Sequence, residues 1–488
     1  MKIYYLRMNM KLTNIMSLKW LTFLIIATSL LSCTKEKQRS SDLPNIIFII
    51  TDDQQIGLTS IEGNLVSKTP NIDRIAKEGA TFEKFFVATP LCSPSRASFL
   101  TGQYAQKHAV INNDRIGLDV ISHTLMTWPR QLRENGYKTA YIGKWHMGLD
   151  DSRRPGFDRW LSFKGQGIFV NGVVNDEGTI KQIDGNMTDY LNEQAVNFLK
   201  KNGKNKPFAM ILSHKAVHAP IIPAERHSAY YADYEYEAPL VSKGNIKSKP
   251  VLQRNVPWRP PYEYENIVPE PGEPRRGRGN DRTSIVADQM RCLLSVDEGV
   301  GEIFKVLEEN GQLDNTIIVY TSDNGMLMGE HNRFHTKRWA YDKVLRIPFF
   351  IRYPKMIEAG SKIDKMVSNI DWAPTVYDVV GVEPMIPVHG KSFLPLFKSE
   401  DAEWRTSFYA EYFHEKVARN TPSWQAVRTK DWKYVNYVGL ETDEMNELYD
   451  LKNDPGEEFN LYKNQAYKQQ LETMKIEFQN KLTEINNN

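Results

Sequence analysis

Apolar runs that break off at charged or polar residues recur along this chain. The run from Pro44 to Gln54, PNIIFIITDDQ, is rich in isoleucine and does not alternate, the mark of a strand buried on both faces. It ends in Asp52 and Asp53. A helical pattern follows in TPNIDRIAKEGATF, where Thr69 is expected to cap, Pro70 to open the first turn and Gly79 to close it. TWPRQLRENGYKTAYIGKWHMG repeats the plan as a helix, a turn at Gly136 and a strand that delivers Lys144 and His146. DYLNEQAVNFLKKN and PFAMILSHKAVHAP repeat it again, with His214 and His218 beyond the strand. A fourth unit, GVGEIFKVLEENGQLDNTIIVYTSDNG, places Asp323 and Asn324 after its strand. Helices alternating with buried strands predict an α/β fold on a large, mostly parallel sheet flanked by helices. In such open sheets ligands bind beyond the carboxyl ends of the strands, so these units bring carboxylates, imidazoles, an amide and a lysine to one edge.

Two stretches break the pattern. From Ser242 to Arg282 the chain is rich in proline and charge and has no periodicity, which inside a compact domain reads as a functional lid or a solvated excursion. Arg275, Arg276, Arg278 and Arg282 make it locally basic. After HGKSFLPLF (His389 to Phe397) short runs such as SFYAEYF and SWQAVRTKDWKYVNYV predict an antiparallel sheet, and AYKQQLETMKIEFQNKLTEI predicts a closing amphipathic helix. The expected organisation is a signal segment over 1–33, a linker over 34–42, a catalytic domain over 43–390 and a small α+β subdomain over 391–488.

The N-terminus is read as a targeting segment. Lys2, Arg7, Lys11 and Lys19 precede an apolar run from Trp20 to Leu31, shorter than the ~20 residues a spanning helix needs. Leu30-Leu31-Ser32-Cys33 then resembles a bacterial lipoprotein signal, which implies export and a membrane anchor through lipid on Cys33. The 488 residues carry a net charge of +2, so no global charge bias points to nucleic acid. Three cysteines exclude a disulfide framework. Cys292 falls in the amphipathic pattern ADQMRCLLSVDEGV and reads as an inert buried thiol, which leaves Cys92 to explain.

Cys92 lies in a Cys-x-Pro-x-Arg segment, Cys92-Ser93-Pro94-Ser95-Arg96, followed by Leu100-Thr101-Gly102. Around it stand Asp52-Asp53, Gly143-Lys144-Trp145-His146, His218 before Ala219-Pro220, Ser322-Asp323-Asn324-Gly325, and Lys337 ahead of Arg346-Ile347-Pro348. In this order the set resembles the formylglycine-dependent sulfatases, and LYDLKNDPGEEFNL resembles their tail, so nearly the whole mature chain is covered. The resemblance implies an alkaline-phosphatase-like sheet and a sulfuric ester hydrolase. It also implies oxidation of Cys92 to Cα-formylglycine (3-oxoalanine) by a formylglycine-generating or anaerobic sulfatase-maturating enzyme.

Asp52, Asp53, Asp323 and Asn324 are oxygen donors suited to one Ca²⁺, which the modified Cys92 would help to hold. Taken singly, Asp52-Asp53 also fits a helix cap and Asp323-Asn324-Gly325 a turn. Lys144, Lys337 and Arg96 are expected to oppose the sulfate charge, His218 to protonate the leaving oxygen, and His146 to act as base in the second half-reaction. His214 reads as support, and His331 and His335 as pocket residues. Tyr341-Asp342-Lys343 departs from the family's Tyr-Glu-Glu.

RPGFDRWLSFKGQG and SHKAVHAP resemble the N-acetylglucosamine-6-sulfatase and algal-polysaccharide branch, which implies a sulfated glycan substrate. Trp258, Arg259, Arg275, Arg276, Trp424 and Arg428 are candidate sugar contacts. A phosphate monoester, diester or phosphonate hydrolase on the same scaffold, and an inactive glycan-binding surface lipoprotein, are the alternatives.

Overall fold

The computed structural model describes residues 43–113, 117–202, 206–237, 249–250, 282–399, 401–418, 421–440 and 443–487. The predicted signal, its Cys33 and the linker lie outside the described residues, as does nearly all of the proline-rich segment with Trp258, Arg259, Arg275 and Arg276.

The first apolar run is strand β1 (Asn45–Thr51), buried at every position. Helix α1 (Pro70–Lys77) and strand β2 (Ala80–Phe82) follow, then helix α2 (Cys92–Thr101). Next come β3 (Lys138–Gly143), β4 (Arg159–Ser162), β5 (Val173–Asp176) and β6 (Thr179–Gln182). Helix α3 (Met187–Lys201) leads to β7 (Phe208–Ser213), and helix α4 (Arg282–Glu309) to β8 (Thr316–Ser322). Strands β9 (Phe349–Arg352) and β10 (Ser361–Ile363) complete a ten-stranded sheet in the order β10-β2-β9-β8-β1-β7-β3-β4-β5-β6. Its centre, β8-β1-β7-β3-β4, is parallel, while β9 runs antiparallel to both of its neighbours. This is the large mixed, mostly parallel sheet that the alternating pattern predicts.

Both faces are covered, which is why the central strands read as unbroken apolar runs. On one face α3 and α4 join the sheet through Leu191, Ala195, Leu293, Val296 and Ile303. On the other an aromatic cluster takes over: Phe48 stacks on Trp372 at 5.2 Å, and Phe85 on Phe349 at 3.9 Å. The expected cap of α1 differs. Thr69 turns its hydroxyl to Asp73, and the free amides of Asn71 and Ile72 are taken instead by the Asp297 carboxylate of α4 at 2.9 and 2.8 Å. A distant carboxylate delivered by tertiary packing replaces the local cap.

Beyond the main sheet, β11 (Ser407–Tyr412), β12 (Trp424–Thr429), β13 (Trp432–Tyr437) and β14 (Glu447–Asp450) form a four-stranded antiparallel sheet. Helix α5 (Lys468–Asn487) lays Leu471, Met474, Phe478 and Ile485 across it. Ala88, Tyr104 and Ile370 share that small core, so the antiparallel sheet is packed directly against the segments flanking α2.

Register aligns the site. Thr51 pairs with Ser322, Ile50 with Ser213, and Ser213 with Gly143. The central strands therefore stop on one line, and the residues after them emerge together. Gly143 is required there: its φ is +115°, and a Cβ would lie 1.9 Å from the Ser213 carbonyl oxygen.

Candidate active site

Along that line three carboxylates meet, fully or almost fully buried. Asp52 takes the ammonium of Lys144, which also donates to Gln166 Oε1 at 2.5 Å. Asp53 takes the ammonium of Lys337. Asp323 takes Arg96 Nε on Oδ2 at 2.8 Å, and its Oδ1 accepts the Asp53 amide at 3.0 Å. Each acid thus faces one cation. Pairing of this kind is what makes three buried carboxylates tolerable.

Cys92 opens α2 and points into the same place. Its Sγ lies 3.5 Å from Asp52 Oδ1, 3.9 Å from Asp53 Oδ1 and 2.7 Å from Lys337 Nζ. Arg96, one turn further on, crosses beneath: Nη1 donates to the Lys144 carbonyl at 2.9 Å and to Ser213 Oγ at 2.6 Å. Arg96 thereby ties together the ends of α2, β3, β7 and β8. Asn324 Nδ2 donates to Asp53 Oδ1 at 2.8 Å, and its Oδ1 is 3.5 Å from Lys337 Nζ. A cation ligand role would require a turn of that amide, so that Oδ1 faces Asp53.

His218 sets Nε2 3.5 Å from Asp53 Oδ2, and its Nδ1 is 2.5 Å from the Ala219 carbonyl oxygen. A carbonyl only accepts, so Nδ1 carries the hydrogen and Nε2 is the atom that exchanges a proton with the site. His146 is 9% exposed with φ of +62°, and its backbone carbonyl accepts Ser93 Oγ at 2.6 Å.

The electrostatics follow from burial against pairing. For Asp52, burial acts to raise the pKa, but Lys144, His218, Arg96 and Lys337 together outweigh it and hold the carboxyl well below its usual range. Asp53 is held down to about 2 against burial, chiefly by Lys337 and His218. Asp323 goes the other way: burial, with Asp52 and Asp53 beside it, outweighs Arg96 and lifts it to about 6. Burial pushes the Cys92 thiol up to about 12 despite Lys144 and Lys337. An unmodified Cys92 is therefore protonated at neutral pH and a poor nucleophile. Burial lowers His218 to about 3 and His146 well below its ordinary value.

The structure brings together Asp52, Asp53, Cys92, Arg96, Lys144, His146, His218, Asp323, Asn324 and Lys337, all ten candidates from the sequence. His214 is buried with neither ring nitrogen hydrogen-bonded. His331 stacks on Tyr341 at 3.7 Å, while His335 feels the charges of Asp53 and Lys337. Of the expected sugar contacts among the described residues, neither is free at the catalytic centre. Trp424 is fully buried, stacked on Tyr412 and donating Nε1 to the Arg338 carbonyl at 2.8 Å. Arg428 is 8% exposed and bonded to Asp342 at 2.9 Å. Both lie on one face of β12, Trp424 in the packing and Arg428 at a hollow apart from Cys92. The Asp342 that departs from the family pattern is this arginine's partner, and it also accepts Lys433 at 2.5 Å.

Ser213, Gln166 and Ser93 join the site unforeseen. A serine ending a strand or a glutamine in a loop carries no spacing signal, and only the register shows them.

One atom each from Asp52, Asp53, Cys92 and Asp323 lies within 4.8 Å of the others, close enough to share a single ion. Lys337 Nζ already sits among Asp53, Cys92 and Asn324, so the donor set is arranged around positive charge. Hard carboxylate oxygens in that number suit Ca²⁺ or Mg²⁺.

Comparisons with known proteins agree with this geometry. The sulfatase family profile matches residues 44–382, and that of the N-sulphoglucosamine sulphohydrolase C-terminal region matches 329–486. An N-acetylglucosamine-6-O-sulfatase of Bacteroides thetaiotaomicron is 32% identical over 93% of this chain and 88% of its own. An ulvan-active sulfatase of Formosa agariphila is 26% identical over 97% of this chain and 87% of its own. A solved structure in complex with its substrate D-glucosamine-2-N,6-O-disulfate superposes with a TM-score of 0.83 at 29% identity, covering 91% of this chain and 99% of that one. With its alkaline-phosphatase-like sheet and its cysteine among three paired carboxylates, the chain belongs to the sulfatase family and is a sulfuric ester hydrolase.

Proposed function

We propose that the chain removes 6-O-sulfate from glucosamine-type units of a sulfated glycan, with Cys92 working as formylglycine and Ca²⁺ held by Asp52, Asp53, Asp323, Asn324 and the modified Cys92. One observation carries the reading: the Cys92 side chain stands among three buried carboxylates, each matched by its own cation. Sulfatases generally use a formylglycine and a metal ion. When present, the hydrated aldehyde would supply an oxygen nucleophile, and a cation held by Asp52, Asp53, Asp323 and Asn324 would polarise the sulfate and lower the pKa of that hydroxyl.

The chain's own residues do the rest. Lys144 and Lys337 present buried ammonium groups where the sulfate oxygens gain charge. Arg96 positions Asp323 and the Lys144 backbone. His218 turns Nε2 toward Asp53, and in its imidazolium form this is the atom that would pass a proton to the leaving alcohol oxygen. Burial opposes the imidazolium, whereas Asp52 and Asp53 favour it, and an anionic ester beside Nε2 adds to their pull. His146, neutral at working pH, accepts the proton that restores the aldehyde.

Cys92 is 0% exposed and Arg96 3%, so in this reading a formylglycine-generating or anaerobic sulfatase-maturating enzyme acts before the chain folds. The catalytic domain is assigned to 43–390 and the subdomain to 391–488. Export and lipid on Cys33 rest on the N-terminal pattern, and no helix among the described residues is long and apolar enough to cross a membrane.

The 6-O position follows the N-acetylglucosamine-6-O-sulfatase of Bacteroides thetaiotaomicron and the 2-N,6-O-disulfated glucosamine bound in the similar structure. The test uses protein shown by peptide mass spectrometry to carry oxidised Cys92, with sulfate release measured from D-glucosamine-6-sulfate and a sulfated ulvan oligosaccharide, and phosphate release from the 6-phosphate of the same sugar. Release from glucosamine alone is expected. Preference for the ulvan fragment overturns the substrate, and preference for the phosphate overturns the reaction class.

A further inference from the structure

A second concave site lies away from Cys92, where the edge of the main sheet meets the antiparallel sheet. It encloses about 530 Å³, within the ~300–1,000 Å³ range of small-ligand sites. Its lining includes Lys84, Lys362, Lys365, Arg405, Arg428 and Lys430, with Asp364 as the one acid. Three of the cations are committed. Lys84 is bonded to Asp364, Arg405 grips the buried Asp371 through two bonds of 2.5 and 2.6 Å, and Arg428 holds Asp342. The other three are not. Lys362 reaches only Glu83, at 3.9 Å and with 75% of its side chain exposed, and among the described residues no carboxylate lies within ion-pair distance of Lys365 or Lys430. Trp404 forms a fixed wall, its indole nitrogen bonded to the Met366 carbonyl at 2.7 Å.

The hollow therefore offers unneutralised ammonium groups over a partly apolar floor, the chemistry that receives a sulfate or carboxylate on a sugar. Strand β12 relates it to the catalytic centre. Trp424, at one end, holds the Arg338 carbonyl next to Lys337; Arg428 and Lys430, at the other, line the hollow. The six residues of β12 span about 17 Å between these two ends.

We propose that this hollow is an accessory site for a second sulfated stretch of the glycan, holding the polymer while Cys92 acts on another unit. The polymer as ligand rests on the function proposed above; the anion site itself does not.

The test compares wild type with Lys365→Glu/Lys430→Glu. Both residues are at the surface of the hollow and outside the catalytic centre, so folding is unaffected. Lys200→Glu/Lys201→Glu, at the exposed end of α3, controls for the same change in net charge. Binding of a heparin-derived octasaccharide is measured by calorimetry in a Cys92→Ala background, which removes turnover. Affinity is expected to fall about tenfold in the first pair and to hold in the control. In active enzyme, KM for the octasaccharide rises by a similar factor, while D-glucosamine-6-sulfate kinetics do not change. Equal loss in both charge pairs, unchanged octasaccharide affinity, or a matching loss on the monosaccharide overturns the proposal. Inorganic sulfate occupying the hollow as tightly as the octasaccharide also overturns it, because the ligand is then not a saccharide. If wild type fails on glucosamine-6-sulfate yet the octasaccharide is lost only from the first pair, the active-site reading falls and this site stands.

Discussion

Replacing Arg96 by lysine keeps a cation opposite Asp323 and removes the fork. A lysine ammonium can take over the 2.8 Å bond to Asp323, but it cannot also reach the Lys144 carbonyl and Ser213 Oγ. Neither acceptor is orphaned: the Lys144 carbonyl still receives Tyr141 at 2.5 Å and Ser213 at 2.7 Å. Two lost bonds at ~1 kcal/mol each therefore cost ~2 kcal/mol of stability. Methionine at the same position leaves Asp323 buried with the Asp53 amide but without its counter-charge, and that costs ~3–5 kcal/mol. Catalysis should respond more steeply than stability in Arg96→Lys, because the bond to the Lys144 carbonyl sets where that ammonium stands. A shift of an ångström there corresponds to ~10²-fold in kcat/KM. Chemical denaturation and sulfate release from one monosaccharide sulfate measure the two effects side by side. Arg96→Lys with activity within threefold of wild type, or lysine and methionine variants equally stable, would refute the positioning role.

Other expectations can be checked with the same protein. Chelation should lower the melting temperature and added Ca²⁺ restore it, while Asp53→Asn should abolish the response; a melting curve indifferent to both would remove the cation from the site. Glu411, fully buried, accepts the Gln106 amide at 3.0 Å, and burial lifts its pKa from 4.5 to about 7. Its proton is held more tightly in the folded state, so this contribution to stability is complete below pH ~4.5 and is lost as pH rises through ~7. Glu411→Gln should match wild type at pH 5 and exceed it by ~2–3 kcal/mol at pH 8, read from denaturation midpoints at both pH values. Phe478→Ala should cost ~3–5 kcal/mol, because Phe478 is 4% exposed and meets Tyr434 edge-on at 5.6 Å. A loss under 1 kcal/mol would mean that α5 contributes little to the small core.

The strands were legible because burial on both faces leaves unbroken isoleucine and valine runs, as in β1 and β8. The site was legible because its residues directly follow those strands. What escaped depends on contacts distant in sequence. Thr69 has every mark of a cap, yet Asp297, 226 residues from Asn71, fills that place. Trp424 and Arg428 have the composition of a sugar-binding surface, but the pleat of β12 turns them inward. Periodicity on one strand cannot say which face its neighbours cover. Ser213 and Gln166 are ordinary polar residues until the register sets them beside Arg96 and Lys144.

Charge counting separates sulfate from phosphate in this centre. Asp52, Asp53 and Asp323 are offset by Lys144, Lys337 and Arg96, so the protein frame is close to neutral. A divalent cation adds two positive charges, and an ionised oxygen nucleophile cancels one of them. One remains, and a sulfate monoester carries one negative charge. A phosphate monoester, whose second proton leaves near pH 6, carries close to two at neutral pH and would leave a net negative charge among buried groups. An uncompensated charge is costly under those conditions; Lys144, Lys337 and Arg96 are committed to carboxylates, which leaves the buried Lys215, close to Asp52 and Asp53, as the cation that could offset part of it. The same count predicts that a neutralised carboxylate, as in Asp323→Asn, narrows the gap between sulfate and phosphate turnover even as it weakens both. A ratio of the two rates that stays fixed in that variant would show that shape, and not charge, sets the preference.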